Sequence, residues 1–158
     1  MGRSIAKAMA TFCNKNQLCQ KQTISMKRIL LVDDHPLLRE GLRRLIVTDE
    51  TLCVCGMAGN VEEALALVES SKPDLVLADL TLPGRSGLEL IKELGVSHPE
   101  VRVLVLTMHD EAIYGKRVRQ AGGCGYAMKD IAPERLLEAI HTVLAGRVFM
   151  NQPNPRHS

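Results

Sequence analysis

The stretch Arg28-Ile29-Leu30-Leu31-Val32-Asp33-Asp34-His35-Pro36-Leu37-Leu38 decides the fold. Residues 28–32 form a short, mostly apolar run that ends on two acids, the pattern of a buried strand whose C-terminal end is exposed. Pro36 then stands where a helix tolerates proline, in its first turn. Leu37, Leu38, Leu42, Leu45 and Ile46 follow at helical spacing, so a helix is expected over 36–47. Asp33 or Asp34 could cap that helix. A buried strand leading into an amphipathic helix is the opening of a βαβ unit.

The unit repeats. Strands are expected at 53–58, 75–79, 102–107 and 125–128, and helices at 61–71, 88–94, 112–121 and 133–145. Gly59-Asn60, Pro73, the loop Pro83-Gly84-Arg85-Ser86-Gly87, His98-Pro99, Gly122-Gly123 and Gly146 punctuate them. No hairpin turn signal joins any two strands. The fold class is therefore α/β, a doubly wound five-stranded parallel sheet covered on both faces. Right-handed crossovers place functional residues at the carboxyl ends of the strands, near a topological switch point. The run Gly122-Gly123-Cys124-Gly125 is expected to loosen the approach to the fifth strand.

Of the 158 residues, 1–25 are read as a disordered extension, because their Asn, Gln, Lys and isolated apolar residues have no sustained period and Met26-Lys27-Arg28 resembles a start. The domain is placed at 26–150, with a linker-like tail at 151–158. Four of the 20 basic residues (Arg3, Lys7, Lys15, Lys21) fall in the acid-free extension, which leaves the remainder 16 basic against 18 acidic residues. Such a balance provides no basic field for nucleic acid. Aromatic residues are only 3% with no Trp, which argues against stacking platforms for single strands. No apolar stretch approaches the ~20 residues that span a bilayer. Five cysteines (Cys13, Cys19, Cys53, Cys55, Cys124), odd in number and without C-x-x-C spacing, are expected to be reduced thiols in a cytoplasmic protein.

The polar residues carry the chemistry. Asp33 and Asp34 end the first strand, Asp79 the third and Thr107 the fourth, and Lys129 follows the fifth. Three carboxylates gathered at one rim repel one another unless a cation compensates. A hard divalent ion such as Mg²⁺ takes oxygen ligands and suits that set. With a mobile ammonium and a hydroxyl beside it, the assembly would stabilise charge on a transferring phosphoryl group. Any one of these aspartates alone would read as a cap or loop residue; the joint pattern points to a site.

Residues 26–150 resemble the receiver domain of two-component response regulators. The segments that carry the likeness are Ile29-Leu30-Leu31-Val32-Asp33-Asp34-His35-Pro36, Asp74-Leu75-Val76-Leu77-Ala78-Asp79-Leu80-Thr81-Leu82-Pro83-Gly84, Val105-Leu106-Thr107-Met108 and Gly125-Tyr126-Ala127-Met128-Lys129-Asp130. Leu38-Arg39-Glu40-Gly41-Leu42 and Thr107-Met108-His109-Asp110-Glu111 resemble the NarL/FixJ subfamily. The resemblance implies a (βα)5 flavodoxin-like fold and a role in signalling, with Asp79 as phosphoacceptor from a sensor histidine kinase. It implies Mg²⁺ held by Asp33, Asp34, Asp79 and the Thr81 backbone carbonyl, Lys129 as phosphate partner, and Thr107 and Tyr126 as switch residues. Such a receiver is consumed stoichiometrically and is not an enzyme. A homodimer formed on phosphorylation is compatible with it.

The chain departs from the family pattern in two places. Asp130 follows Lys129 where many receivers carry proline. The C-terminal helix-turn-helix usual in the subfamily is missing, so transcription control is inherited from the resemblance and direct DNA binding is not expected of this chain alone. A Mg²⁺-dependent phosphatase or phosphotransferase with Asp79 as nucleophile is the competing class; it lacks a cap domain and an acid near Asp79, where Thr81 stands two residues on. A degenerate pseudo-receiver is disfavoured because every key side chain is present. His35, His98 and His109 are read as loop residues, and Lys116, Arg117 and Arg119 as a solvated basic face. Gly84-x-x-Gly87 lacks the following Lys-Ser/Thr and is not a phosphate loop.

Overall fold

The structure is a computed structural model that describes residues 25–150, apart from the side chains of residues 111 and 112. The expected extension (all but its last residue), together with Cys13, Cys19 and the tail at 151–158, lies outside the described residues. Six strands, β1 (Lys27–Val32), β2 (Leu52–Ala58), β3 (Leu75–Ala78), β4 (Arg102–Thr107), β5 (Gly125–Met128) and β6 (Phe149–Met150), form one sheet in the order β2-β1-β3-β4-β5-β6. Every pairing is parallel. The helices α1 (Pro36–Ile46), α2 (Val61–Ser71), α3 (Gly87–Ser97), α4 (Glu111–Ala121) and α5 (Pro133–Leu144) cross over between them.

Two cores follow from strict alternation along the strands. Leu30, Val32, Val76, Ala78, Val103 and Val105 point to the face covered by α2, α3 and α4. Ile29, Leu31, Leu75, Leu77, Leu104 and Leu106 point to the face covered by α1 and α5. A strand buried on both sides must be apolar throughout, which is why these segments show no polar alternation. The chain leaves β1 toward β2 on one side and returns to β3 on the other. The crevice at this reversal lies above the C-terminal ends of β1 and β3.

Most expected bounds hold within a residue. The helix expected at 88–94 runs over Gly87–Ser97 instead. Its start is set by a capping box in which the Ser86 side chain accepts from the Glu89 N–H and the Glu89 carboxylate accepts from the Ser86 N–H. The N-cap of α1 is His35, without a side-chain cap bond, so neither Asp33 nor Asp34 caps that helix. The sheet gains a sixth strand, beyond the five expected, from the last two residues of the domain. Phe149 pairs with Gly125 and is buried in the α1/α5 core, with the Arg135 guanidinium 5.1 Å from its ring centroid. Two residues have no period from which a strand could be read.

The glycine-rich approach to β5 is close-packed rather than loose. A Cβ at Gly125 would lie 2.7 Å from Leu104 Cδ1 and 3.0 Å from the Phe149 carbonyl oxygen. No cis peptide bond occurs among the described residues, so the Lys129–Asp130 bond is trans. Cys55 and Cys124 are free thiols, in keeping with the expectation for these two. Among the described residues no helix is long and apolar enough to cross a membrane.

Gly87 fits α3 tightly beneath the β3–α3 loop, since a Cβ there would lie 2.2 Å from the Asp79 carbonyl oxygen. Backbone cannot yield as a flexible side chain does. Gly87→Ala is therefore expected to lower unfolding free energy by about 1–3 kcal/mol. Urea denaturation measures this, and an unchanged midpoint would show that the approach is not rigid.

Candidate functional site

Backbone pairing carries the polar residues past the strand ends. The Asp33 N–H donates to the Ala58 carbonyl at 3.0 Å, the Asp79 N–H to Val32 at 3.0 Å and the Lys129 N–H to Thr107 at 2.8 Å. Each residue sits one step beyond its strand, aimed into the crevice by the same ladder that holds the sheet. Asp33 (3% exposed), Asp79 (5%) and Thr107 (0%) are the buried polar residues among those described. Burial of groups this polar is tolerated only with partners.

Lys129 is the principal partner. Its Nζ lies 2.8 Å from Asp33 Oδ2 and 2.8 Å from Asp79 Oδ2. Asp79 Oδ1 accepts from the Thr81 N–H at 3.3 Å. Asp33 Oδ1 accepts from the His35 N–H at 2.8 Å, and His35 Nδ1 stands 2.9 Å from that oxygen and 3.0 Å from Asp34 Oδ1. Burial alone would raise the Asp33 carboxyl, but hydrogen bonds from Lys129 and His35 outweigh it and hold the group below the ordinary carboxylate value. Burial would likewise lower the Lys129 ammonium, and its bonds to Asp33 and Asp79 hold it above the ordinary lysine value. Both directions favour the charged pair.

The rim opposite Lys129 is a hydrogen-bonded chain through β4 and β5. The His109 N–H donates to Thr107 Oγ1 at 3.4 Å, and the His109 carbonyl accepts from the Tyr126 hydroxyl. His109 Nε2 lies 2.7 Å from Thr81 Oγ1, and its ring centroid is 4.9 Å from that of Tyr114. Tyr126 is fully buried on the α2/α3/α4 face, so its ring is inward in this structure.

The structure thus gathers Asp33, Asp34, Asp79 and Lys129, and links Thr107, Thr81 and Tyr126 to one another through His109. Two histidines set aside as loop residues belong to this neighbourhood. For His35 the one available signal was adjacency to the acid pair; for His109 it was a position two residues past Thr107. His98 is a loop residue as expected, paired with Glu69 at 3.0 Å. Lys116, Arg117 and Arg119 lie exposed on α4, with Arg119 donating to the Gly123 carbonyl at 2.9 Å.

Asp33, Asp34, His35 and Asp79 each offer a donor atom, and these atoms all lie within 4.8 Å of one another. Three carboxylates against one ammonium leave the cluster net negative, and carboxylate oxygens are the donors a hard divalent cation takes. The residues present fit such an ion.

A buried parallel-sheet crevice with converging acids and a lysine from the last full strand defines a class, the phosphoacceptor-type receiver. The chain matches the model of the response regulator receiver domain over residues 29–141 and belongs to that family. It is similar to the response regulator GacA of Pseudomonas aeruginosa, with 39% identity over 126 residues covering 80% of this chain and 59% of GacA. It is also similar to the nitrate/nitrite response regulator protein NarL of Escherichia coli K12, with 40% identity covering 78% of this chain and 57% of NarL. Among solved structures it resembles a two-component response regulator of the LuxR family from Aurantimonas sp. SI85-9A1, with TM-score 0.77 and 40% identity over 80% of this chain and 90% of that one. The chain spans less than two thirds of the length of the curated relatives, 59% in GacA and 57% in NarL.

The shifted groups set the pH response. Asp33, lowered by folding, contributes stability that is present above its ordinary value of 3.8 and lost as pH falls through the folded value. Lys129, raised by folding, contributes stability that is present below 10.5 and lost as pH rises through its folded value. Lys129→Met removes the main cation beside Asp33. The Asp33 carboxyl titration, followed by carbon-detected NMR, is expected to move up. An unmoved midpoint would show that Lys129 does not set the charge state of Asp33.

Proposed function

We propose that this chain is the phosphoacceptor module of a two-component phosphorelay, with Asp79 receiving the phosphoryl group of a sensor histidine kinase. The observation that carries this reading is the Lys129 ammonium 2.8 Å from Asp79 Oδ2 and 2.8 Å from Asp33 Oδ2 at the mouth of the sheet. A carboxylate oxygen of Asp79 forms the new P–O bond as the P–N bond of the phosphohistidine breaks and its electron pair returns to the imidazole. Lys129, already paired with Asp79, balances charge on the arriving phosphoryl oxygens. The Thr81 N–H, bonded to Asp79 Oδ1, fixes the carboxylate plane. Asp33, Asp34 and Asp79, with the Thr81 backbone carbonyl, would hold Mg²⁺, which supplies further neutralisation of the transferring group. Positioning and electrostatics suffice for such a transfer, so no separate acid is needed. The module is consumed once per phosphoryl group, as a signalling protein rather than an enzyme, and this reading places it in the cytoplasm.

The switch follows from the β4–α4 segment. Thr107 Oγ1 accepts from the His109 N–H and keeps its own O–H to donate toward a phosphoryl oxygen. Any shift of Thr107 is passed by His109 to the Tyr126 hydroxyl. Tyr126 is inward, with its hydroxyl bonded to the β4–α4 segment, so that segment and α4 would move together with the ring. Moving such an equilibrium from 1:99 to 99:1 requires about 5.5 kcal/mol of differential interaction. The altered α4 face would then favour a homodimer or an output partner.

Intact mass after treatment with acetyl phosphate and Mg²⁺ tests the assignment. One phosphoryl group is expected on the native sequence and none on Asp79→Asn. Thr107→Ala is expected to accept the group but to lose the accompanying change in hydrogen exchange over α4. Undiminished labelling of Asp79→Asn, or repeated turnover of acetyl phosphate, would contradict the reading.

A further inference from the structure

We propose that His35 is an additional ligand of the divalent-cation site, and that its imidazole nitrogen shifts the site's preference from Mg²⁺ toward a first-row transition ion such as Mn²⁺. The proposal rests on reading Asp33, Asp34 and Asp79 as a cation site. It goes beyond that reading, because the donor set would no longer be all oxygen.

Geometry comes first. Lys129 engages the Oδ2 atoms of Asp33 and Asp79, whereas His35 Nδ1 engages the Oδ1 atoms of Asp33 and Asp34, at 2.9 and 3.0 Å. The lysine and the histidine thus take two different sides of one cluster. The His35 donor lies within 4.8 Å of a carboxylate oxygen from each of the three aspartates. No cap bond explains the ring's position, because His35 is the N-cap of α1 and its side chain makes none. The ring is held by its own Nδ1 contact with Asp33 Oδ1 at 2.9 Å, and the backbone supports that placement. The His35 N–H is tied to Asp33 Oδ1 at 2.8 Å, and Pro36 follows as the first residue of α1.

The chemistry agrees with the placement. Imidazole binds metals in its neutral form, with one ring nitrogen as ligand and the proton on the other. The His35 side chain is 67% exposed, so the second nitrogen can hold that proton with water as its partner. Mg²⁺ is hard, prefers oxygen and keeps its waters. Mn²⁺ also takes carboxylate oxygens, but it is a transition ion that accepts an imidazole nitrogen more readily than Mg²⁺, which gives up its waters reluctantly. Replacing a water by His35 Nδ1 would therefore strengthen Mn²⁺ binding more than Mg²⁺ binding.

The experiment uses the full chain with Mn²⁺ alone as the probe, observed by pulsed electron paramagnetic resonance and titrated against Mg²⁺. The native sequence is expected to show nitrogen hyperfine coupling from a bound imidazole. His35→Ala is expected to lose that coupling and to lower the Mn²⁺-over-Mg²⁺ affinity ratio about tenfold or more. Asp34→Asn should weaken both ions together. If His35→Ala binds both ions as well as or better than the native sequence, with no change in ratio, the ring is displaced by the ion and the proposal fails. Nitrogen coupling that persists in His35→Ala, or a signal untouched by Asp34→Asn, would also overturn it. Failure to bind either ion would remove the underlying cation site as well, whereas Mg²⁺ binding without nitrogen coupling would remove this inference alone.

Discussion

Two buried carboxylates that converge from neighbouring strands must share a positive charge, and Lys129 supplies it. Asp33 and Asp79 follow β1 and β3, which are adjacent in the sheet, so parallel pairing brings their side chains together whatever else the loops do. Isolated, each buried carboxylate would cost several kcal/mol or take up a proton. The ammonium reaches both from the end of β5, across β4, and the sheet order has to be β1-β3-β4-β5 for it to do so. The charge state of the buried acids and the phosphoacceptor reading both depend on that one bridge.

Under the proposed function, the same bridge bears on how the site would respond. Lys129 bridges Asp33 and Asp79, so under the proposed phosphoryl transfer it would keep an anionic partner throughout. The response would then fall to neutral hydrogen bonds around His109, which ties Thr107, Thr81 and Tyr126 into a single chain. Such bonds contribute only about 0.5–1.5 kcal/mol each. They are weak enough to rearrange while the buried charges stay in place.

The sheet was legible because burial on both faces leaves continuous apolar strands, and alternation within them sorts the residues into the two cores. Reading the sequence also brought out Asp33, Asp34, Asp79, Thr107 and Lys129, since a carboxylate, hydroxyl or ammonium that closes an apolar strand stands out against it and falls at the crevice. What escaped was local or tertiary. The capping box at Ser86 and Glu89 starts α3 at Gly87, and the helix runs three residues past the expected end to Ser97. β6 exists because Phe149 fills a space beside Gly125 and beneath Arg135, a tertiary fact that two residues cannot announce. His35 and His109 matter through what faces them across loops, and spacing along the chain does not encode that.

A double-mutant cycle between Lys129→Met and Asp79→Asn, read as unfolding free energy from urea denaturation, tests the bridge most directly. Alone, Lys129→Met leaves two carboxylates without their cation and is expected to cost about 3–5 kcal/mol. In the Asp79→Asn background it is expected to cost less, with a coupling of roughly 0.5–3 kcal/mol. Strictly additive changes would mean that Lys129 and Asp79 do not hold each other, and the account built on their contact would be wrong.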